Sequence, residues 1–203
     1  IAEQLTTLDT MSAGAIAGVG IGYRDVEFDS FGVPKSERVS RFEEGIELLK
    51  KLWTEDEVVY DGEHYSVDGV TINPQPEEQP PLWIAANARA AVRRAAALGD
   101  AWFVNPHSTV TEIEELKEDY DEVRAERGKD TGVPIIRETF VAETHDEAVE
   151  TAQEYLFSKY QQYIEWGQDE AMEDEQAVRA ARRGPVPARN ARGSLCGDRT
   201  LRG

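Results

Sequence analysis

A turn built from small residues is the clearest candidate for ligand-binding chemistry in this chain. Ala86 and Ala88 follow the short apolar run 82–85, and Asn87 between them is a residue type that often caps helices. Small side chains leave the first N–H groups of a helix open, and those groups carry partial positive charge, so a phosphate group could bind here. The alternative is that small residues only allow close packing, because no phosphate-loop signature is present.

Alternating glycines form a second candidate site. Gly18, Gly20 and Gly22 lie at the end of the predicted strand 15–21, where missing side chains let a ligand or a neighbouring element approach the backbone. The run lacks the later glycine and the acidic strand-end residue of a dinucleotide site. It therefore predicts a close approach without identifying what approaches.

His107 is the one side chain that the sequence suggests for acid–base chemistry. It follows a predicted strand, in the loop 105–108, where α/β proteins bind ligands, and imidazole titrates near neutral pH. The sequence identifies no partner for it, so a loop histidine without a catalytic role is the alternative. His64 and the single Cys196 have no neighbours at metal-ligand spacing, and we predict no metal site.

A strand–helix–strand unit positions the small-residue turn. Pro80 and Pro81 require a new element to begin after them. The predicted elements are a strand over 82–85, a helix over 88–98 with Asn87 as its N-cap and Gly99 at its end, and a strand over 101–104. Two consecutive strands joined through a helix are parallel and buried.

Helical and strand periodicities continue along the chain. Residues 24–35 read as a polar loop. A helix is predicted over 1–11, with Ile1, Leu5 and Leu8 on its apolar face, and a second helix of about 17 residues begins at a Ser36 cap. Further helices are predicted over 109–127, 144–165 and 169–183. A hairpin is predicted over 57–70, and strands are predicted over 15–21 and 134–142. This alternation indicates a parallel α/β domain, either doubly wound or a (β/α)₈ barrel.

Composition limits the classes of partner. The chain has 203 residues and a formal net charge of −18, which argues against nucleic acid and anionic membranes. Few lysines and abundant acids on a foldable pattern suggest a surface adapted to concentrated salt. No apolar run reaches the length of a membrane span, and we expect a cytoplasmic protein.

The C-terminal segment differs from the rest. Residues 182–203 contain six arginines and one acid without periodicity, whereas residues 1–181 are strongly acidic. We therefore divide the chain into a folded domain over 1–181 and a tail over 182–203 that is disordered or foreign to the fold. Because Ile1 opens directly into a helical pattern, we also expect the chain to begin partway through a longer protein.

An ordered set of short stretches resembles the bacterial luciferase-like monooxygenases. The resemblance covers roughly residues 1–145, and no single stretch carries it alone. The stretches are 1–14, 18–23, 27–28, 52–53, 60–65, 74–76, 81–87 and 95–102.

This resemblance implies an α/β enzyme with a (β/α)₈ TIM barrel. It implies that the chain is partial and contains about strands four to seven of that barrel, and that it comes from a haloarchaeon-like halophile. It implies reduced FMN or coenzyme F420 as the cofactor, a small organic substrate, hydride transfer or O₂ activation, and a homodimer in the full-length form. The cofactor phosphate maps to the turn, although the family usually has glycine or serine there. The implied cofactor-binding residues are Gly20, Gly22, Ala86, Asn87, Ala88 and Ala90.

Two alternatives stay open at this point. The chain could be a non-catalytic barrel fragment, because strands one to three would precede Ile1 and the tail does not resemble an eighth strand. It could also be an α/β module that binds a phosphate-bearing ligand.

Overall fold

A computed structural model describes residues 1–12 and 14–166. They belong to two compact units, one of residues 1–104 and 116–134, the other of residues 105–115 and 135 onward. The predicted helical segment 169–183 and the tail 182–203 lie outside the described residues.

The elements are α1 (Ala2–Ser12), β1 (Ala17–Val19), α2 (Asp25–Phe31), a 3₁₀ turn (Lys35–Glu37), α3 (Arg38–Thr54), β2 (Val58–Asp61), β3 (Ser66–Val70), β4 (Leu82–Ala85), α4 (Arg89–Leu98), β5 (Ala101–Phe103), α5 (Val110–Glu126) and α6 (His145–Glu165).

The first unit is built on a parallel sheet in the order β1-β4-β5. Ala17 pairs with Leu82, and Ile84 pairs with both Val19 and Trp102. The predicted strand–helix–strand unit is confirmed, because β4, α4 and β5 follow one another and the two strands are parallel neighbours. The sheet of β1, β4 and β5 therefore confirms the parallel α/β class, and β2 and β3 form the separate antiparallel hairpin predicted over 57–70.

The two faces of this sheet are unequally covered. Leu82, Ile84 and Trp102 are almost fully buried on the same face, and α4 packs against both β4 and β5. Full burial of each such side chain stabilises the fold by about 2 kcal/mol. On the opposite face, Trp83 and Phe103 stay half-buried, with ring centroids 5.7 Å apart.

The predicted strand over 134–142 is wrong. Beside β5 the chain forms a parallel bridge between Ala101 and Gly132, and the N–H of Val104 donates to the carbonyl oxygen of Pro134 at 2.9 Å. Beyond Pro134 the described residues form no regular ladder. Apolar content gives a segment strand propensity, but a strand also needs a continuous partner for its backbone groups.

The predicted loop over 24–35 contains helix α2. Asp25 and Glu27 lie in its first turn, where carboxylates favour the helix dipole. Gly32 ends the helix in the left-handed conformation, with φ of 64°, and its N–H donates to Asp29. The apolar periodicity of seven residues is too short to reveal such a helix.

Two predicted details of helices α1 and α3 are wrong. Ala2 and Thr6 are the buried residues of α1, whereas Leu8 is 57% exposed. The 3₁₀ turn precedes α3, so Ser36 is not its N-cap. Capping boxes begin α5 and α6, with reciprocal hydrogen bonds between Thr109 and Glu112 and between Thr144 and Glu147.

Candidate functional site

The turn between β4 and α4 leaves the start of the helix open. Ala88 is the N-cap residue in extended conformation, and no side chain caps the helix. The predicted role of Asn87 as the N-cap is therefore wrong, because the helix begins one residue later. No acid occupies the first turn, and Ala88 and Ala90 are exposed. The first N–H groups of α4 thus face solvent with their partial positive charge.

A buried tryptophan fixes the orientation of this turn. The indole N–H of Trp102 donates to the carbonyl oxygen of Ala86 at 2.8 Å, and both residues are buried. A trans peptide points its C=O and N–H in opposite directions, so the N–H of Asn87 points away from Trp102. The side chain of Ala86 is covered, so only the backbone of Ala86 is available to a ligand.

The two glycines after β1 differ in what they require. Gly20 lies beside the end of β4, since a Cβ added to it would lie 3.7 Å from the Cβ of Ala85. Gly22 has φ of +74°, and an added Cβ would lie 3.2 Å from the ring of Phe28. Glycine is therefore demanded by backbone conformation at 22, and at 20 it only leaves space.

These positions place Gly20 and the small-residue turn at one edge of the sheet. β1 and β4 are parallel neighbours, so their carboxyl ends meet there. Ala88 and Ala90 lie at the exposed start of α4. Ligands of α/β proteins bind outside the carboxyl ends of the strands.

Arg89 is a residue that the sequence analysis missed. It is the first residue of α4, its side chain is 66% exposed, and its guanidinium lies 2.5 Å from Asp119. Asp119 also pairs with Arg93 at 3.2 Å. A cation at the first helical position, directly after an uncapped turn, was the signal that could have identified it.

Charged residues near the other end of β4 have structural roles. The Asp100 carboxylate accepts from the N–H of Leu82 at 2.8 Å. The buried Arg124 guanidinium donates to the carbonyl oxygens of Gly99 at 2.9 Å, Asp100 at 3.1 Å and Asp130 at 2.6 Å. These contacts fix the start of β4 and β5 and leave no charge free for chemistry.

The second unit contains His107. Both of its ring nitrogens are buried and lack a hydrogen-bond partner among the described residues. Its ring lies edge-on to Tyr163, with centroids 6.3 Å apart. Burial is the main cause that lowers the pKa of His107 below its ordinary value, so the imidazole is held neutral.

Comparison with known sequences supports a single family. The profile of the luciferase-like monooxygenase family matches residues 1–195. An FMNH(2)-dependent dimethylsulfone monooxygenase from Pseudomonas fluorescens is 32% identical over 128 residues, which are 61% of this chain and 34% of that protein. An F420-dependent glucose-6-phosphate dehydrogenase from Kineococcus radiotolerans is 33% identical over 106 residues, which are 50% of this chain and 31% of that protein.

Solved structures share the fold. An F420-dependent secondary alcohol dehydrogenase in complex with an F420-acetone adduct superposes with a TM-score of 0.73 at 18% identity, covering 96% of this chain and 59% of that one. The monooxygenase RslO1 from Streptomyces bottropensis gives 0.70 at 22% identity, covering 95% and 58%. The chain thus spans about a third of the two sequence relatives.

None of the helices in the described part of the chain is long and apolar enough to cross a bilayer.

The family profile covers most of the sequence, and the α/β fold agrees with it. The chain belongs to the luciferase-like monooxygenase family.

Proposed function

We propose that this chain forms the phosphate-binding part of a flavin- or F420-dependent oxidoreductase. The observation that carries the proposal is the uncapped start of α4, at the carboxyl edge of the parallel sheet. The sequence relatives include an FMNH(2)-dependent and an F420-dependent enzyme. Both cofactors carry phosphate, so one anion site would serve either.

The residues of the turn fit a phosphate group. The backbone of Ala86, Asn87, Ala88 and Ala90 would hold it, because small or exposed residues leave the N–H groups accessible. No residue in the first turn of α4 is itself acidic. The exposed guanidinium of Arg89 pairs with the Asp119 carboxylate and would offset its negative charge beside a bound anion.

The remaining predicted residues would lie along the cofactor. Gly20 leaves the edge of β1 open beside Ala85, and Gly22 fixes the course of the chain toward Phe28. The half-buried rings of Trp83 and Phe103 offer an apolar surface that would exclude water. Reduced FMN or F420, when bound, supplies the redox chemistry of the reaction.

The substrate is proposed to be a small organic molecule. The FMNH(2)-dependent relative is a monooxygenase and the F420-dependent relative is a dehydrogenase. Identification of the bound cofactor would therefore separate oxygen activation from hydride transfer. We also propose that the acidic protein works in concentrated salt, so its assays belong in molar KCl.

The test is a fluorescence titration of the full chain in molar KCl with FMN and, separately, with F420. We expect micromolar binding of one of them and a loss of about 10-fold or more in affinity for Ala88→Asp, because a carboxylate would occupy the anion site. The control Ala125→Asp adds the same charge at an exposed position of α5.

Two results would refute the proposal. Equal affinity of the wild type and Ala88→Asp would exclude the turn as the phosphate site. Absence of binding to either cofactor, with a folded circular dichroism spectrum, would favour a non-catalytic fragment or a module for a different phosphate-bearing ligand. Titration with inorganic phosphate would distinguish these two.

A further inference from the structure

Three polar side chains, from the 3₁₀ turn, helix α3 and the β2–β3 connection, lie together in the first unit. The Oγ atom of Ser40 lies 2.7 Å from Nε2 of His64. On the other side of the same imidazole, Nδ1 lies 3.7 Å from a carboxylate oxygen of Glu37. A hydroxyl within hydrogen-bond reach of a base, with a carboxylate beyond that base, is the arrangement that activates a serine as a nucleophile.

The carboxylate influences which nitrogen of His64 carries the proton. A negative charge beside Nδ1 favours the tautomer with its N–H on that side, so Nε2 is left to accept from the Ser40 hydroxyl. That hydroxyl also lies 3.1 Å from the carbonyl oxygen of Glu37, and the shorter contact favours the imidazole as the acceptor of its one proton. The Nε of Arg41 donates to the Glu37 carboxylate at 2.8 Å and holds it in place.

A backbone clamp brings the imidazole to Ser40. The N–H of His64 donates to both carboxylate oxygens of Glu44 at 3.0 Å, and the N–H of Tyr65 donates to one of them at 2.7 Å. Glu44 lies one turn after Ser40 on α3, so the clamp ties the hairpin to this stretch of the helix. The His64 side chain is 4% exposed, whereas Ser40 is exposed. The base is therefore fixed by its surroundings while the nucleophile stays accessible.

Ser40 lines a cavity formed by α3, β2 and α4. The volume of the cavity is about 730 Å³, which is in the range of sites that hold small molecules. Its apolar lining residues are Ile46, Ala90, Ala97 and Leu98. These suit an aliphatic group, whereas Glu44 and Glu47 on the same wall disfavour an anion. Ala90 is shared with the proposed phosphate site, but Glu37, Ser40 and His64 are not.

Arg94 supplies positive charge to the same cavity. Its Nε donates to the Glu43 carboxylate at 2.6 Å, and its terminal nitrogens make no other hydrogen bond or ion pair within the described residues. Glu43 follows Ser40 by three residues on α3, so the two are neighbours on one face of the helix. The guanidinium is therefore held near Ser40, and its N–H groups would donate to the negative oxygen that forms on an attacked carbonyl.

We propose that Ser40 and His64 hydrolyse small uncharged carboxylic esters with a short aliphatic acyl group. Oγ of Ser40 would form a bond to the acyl carbon while its proton passes to Nε2 of His64. His64 would give that proton to the leaving alkoxide, and water would then release the acid from Ser40 by the same steps. One ester and one water thus give one acid and one alcohol. Glu37 is a positioning residue, and the activity is separate from the redox function proposed for the start of α4.

The first test is covalent labelling of the full chain in molar KCl with a fluorophosphonate, a reagent that phosphonylates activated serines. We expect one adduct, which peptide mass spectrometry would locate at Ser40. Ser36→Ala is the matched control and should label like the wild type, because Ser36 is also exposed but lies in the preceding 3₁₀ turn. A folded chain without an adduct, or with adducts only on other serines, would overturn the inference.

Hydrolysis of p-nitrophenyl butyrate separates the roles of the two catalytic residues. Ser40→Ala should reduce the rate to that of buffer. His64→Gln, which keeps a hydrogen-bonding side chain but no base, should lower it by about 100-fold or more. Activity that persists in folded Ser40→Ala would show that the serine is not the nucleophile, and wild-type activity in His64→Gln would show that the histidine is not the base. Either result would overturn the inference.

Nitrogen NMR of the chain labelled with ¹⁵N-histidine tests the geometry in the wild type, and so does not depend on the folding of His64→Gln. In neutral His64 we expect the proton on Nδ1, and in Glu37→Ala we expect a larger share of it on Nε2. The same variant should slow the labelling of Ser40 by about 10-fold, less than the loss of a hydrogen-bonded carboxylate causes. A wild-type proton on Nε2 would overturn the inference, because the hydroxyl could not then donate to that atom. FMN and F420 affinities of Ser40→Ala should equal those of the wild type, so failure of cofactor binding would refute only the redox function.

Discussion

Replacement of Trp102 by phenylalanine tests whether the orientation of the turn controls cofactor binding. The indole N–H of Trp102 is the donor to the buried carbonyl oxygen of Ala86. Phenylalanine removes that donor but keeps an aromatic ring against Tyr120, whose ring centroid lies 5.8 Å from that of Trp102. The change is therefore confined to one hydrogen bond and a modest loss of volume.

The expected loss of stability is about 2–4 kcal/mol. An unsatisfied buried carbonyl costs about 1–3 kcal/mol, and the smaller ring adds a cavity that costs about 1 kcal/mol. The peptide between Ala86 and Asn87 would also lose its fixed orientation, so its N–H would no longer be preorganised. We expect FMN or F420 affinity to fall by about 10-fold, the effect of one misplaced hydrogen bond.

Trp53→Phe is the matched control. Trp53 is also buried, and its indole N–H donates to a backbone carbonyl oxygen, that of Ala2, at 3.4 Å. This contact joins α1 and α3, away from the turn. The control should lose stability, by less than Trp102→Phe because its hydrogen bond is longer, and should keep its cofactor affinity.

Urea unfolding in molar KCl gives the stability of each variant, and fluorescence titration under native conditions gives its cofactor affinity. Wild-type affinity in a destabilised Trp102→Phe would show that the carbonyl of Ala86 does not set the site. An equal loss of affinity in Trp53→Phe would show that general destabilisation, rather than turn orientation, weakens binding.

Three further predictions follow from charged groups. Arg124→Met should lower the free energy of unfolding by about 3 kcal/mol, measured in urea melts, because four carbonyl oxygens lose a buried charged donor. A loss below about 1 kcal/mol would contradict this. Burial acts to raise the pKa of Glu44, but the backbone N–H groups of His64 and Tyr65 outweigh it and lower that pKa. The stability that ionised Glu44 contributes is therefore present above about pH 4.3 and is lost as the pH falls through the lower folded-state pKa. Glu44→Gln should make the free energy of unfolding depend less on pH on the acid side, and an unchanged pH dependence would contradict this prediction. Raising KCl from about 0.1 M to about 1 M shortens the Debye length from about 10 Å to about 3 Å. Because this screens the repulsion within a chain of net charge −18, the melting temperature should rise. A constant or falling melting temperature would argue against salt adaptation.

The strand–helix–strand unit could be predicted because its signals are local and strong. Pro80 and Pro81 bar a regular element, a short apolar run follows, and Gly99 stands at the end of a helix-forming segment. The capping boxes of α5 and α6 were predictable for the same reason, since their two members lie three residues apart.

The start of α4 could not be placed from the sequence, because tertiary contacts decide it. Asn87 has the best capping side chain, but the Trp102 bond to Ala86 fixes the preceding peptide, and the helix begins at Arg89. The partner lies 16 residues away, and capping preference is a local property. The turn was thus identified by the smallness of its residues, and its cap was wrong.

Hydrogen-bond satisfaction separates structural from functional candidates more sharply than residue type does. Asp100 and Arg124 are charged residues near the sheet, yet each is consumed by backbone partners. The start of α4 carries less charge, but no side chain caps its exposed N–H groups. Water satisfies these exposed groups in the free chain, and a phosphate could replace that water because the groups are aligned with the helix dipole.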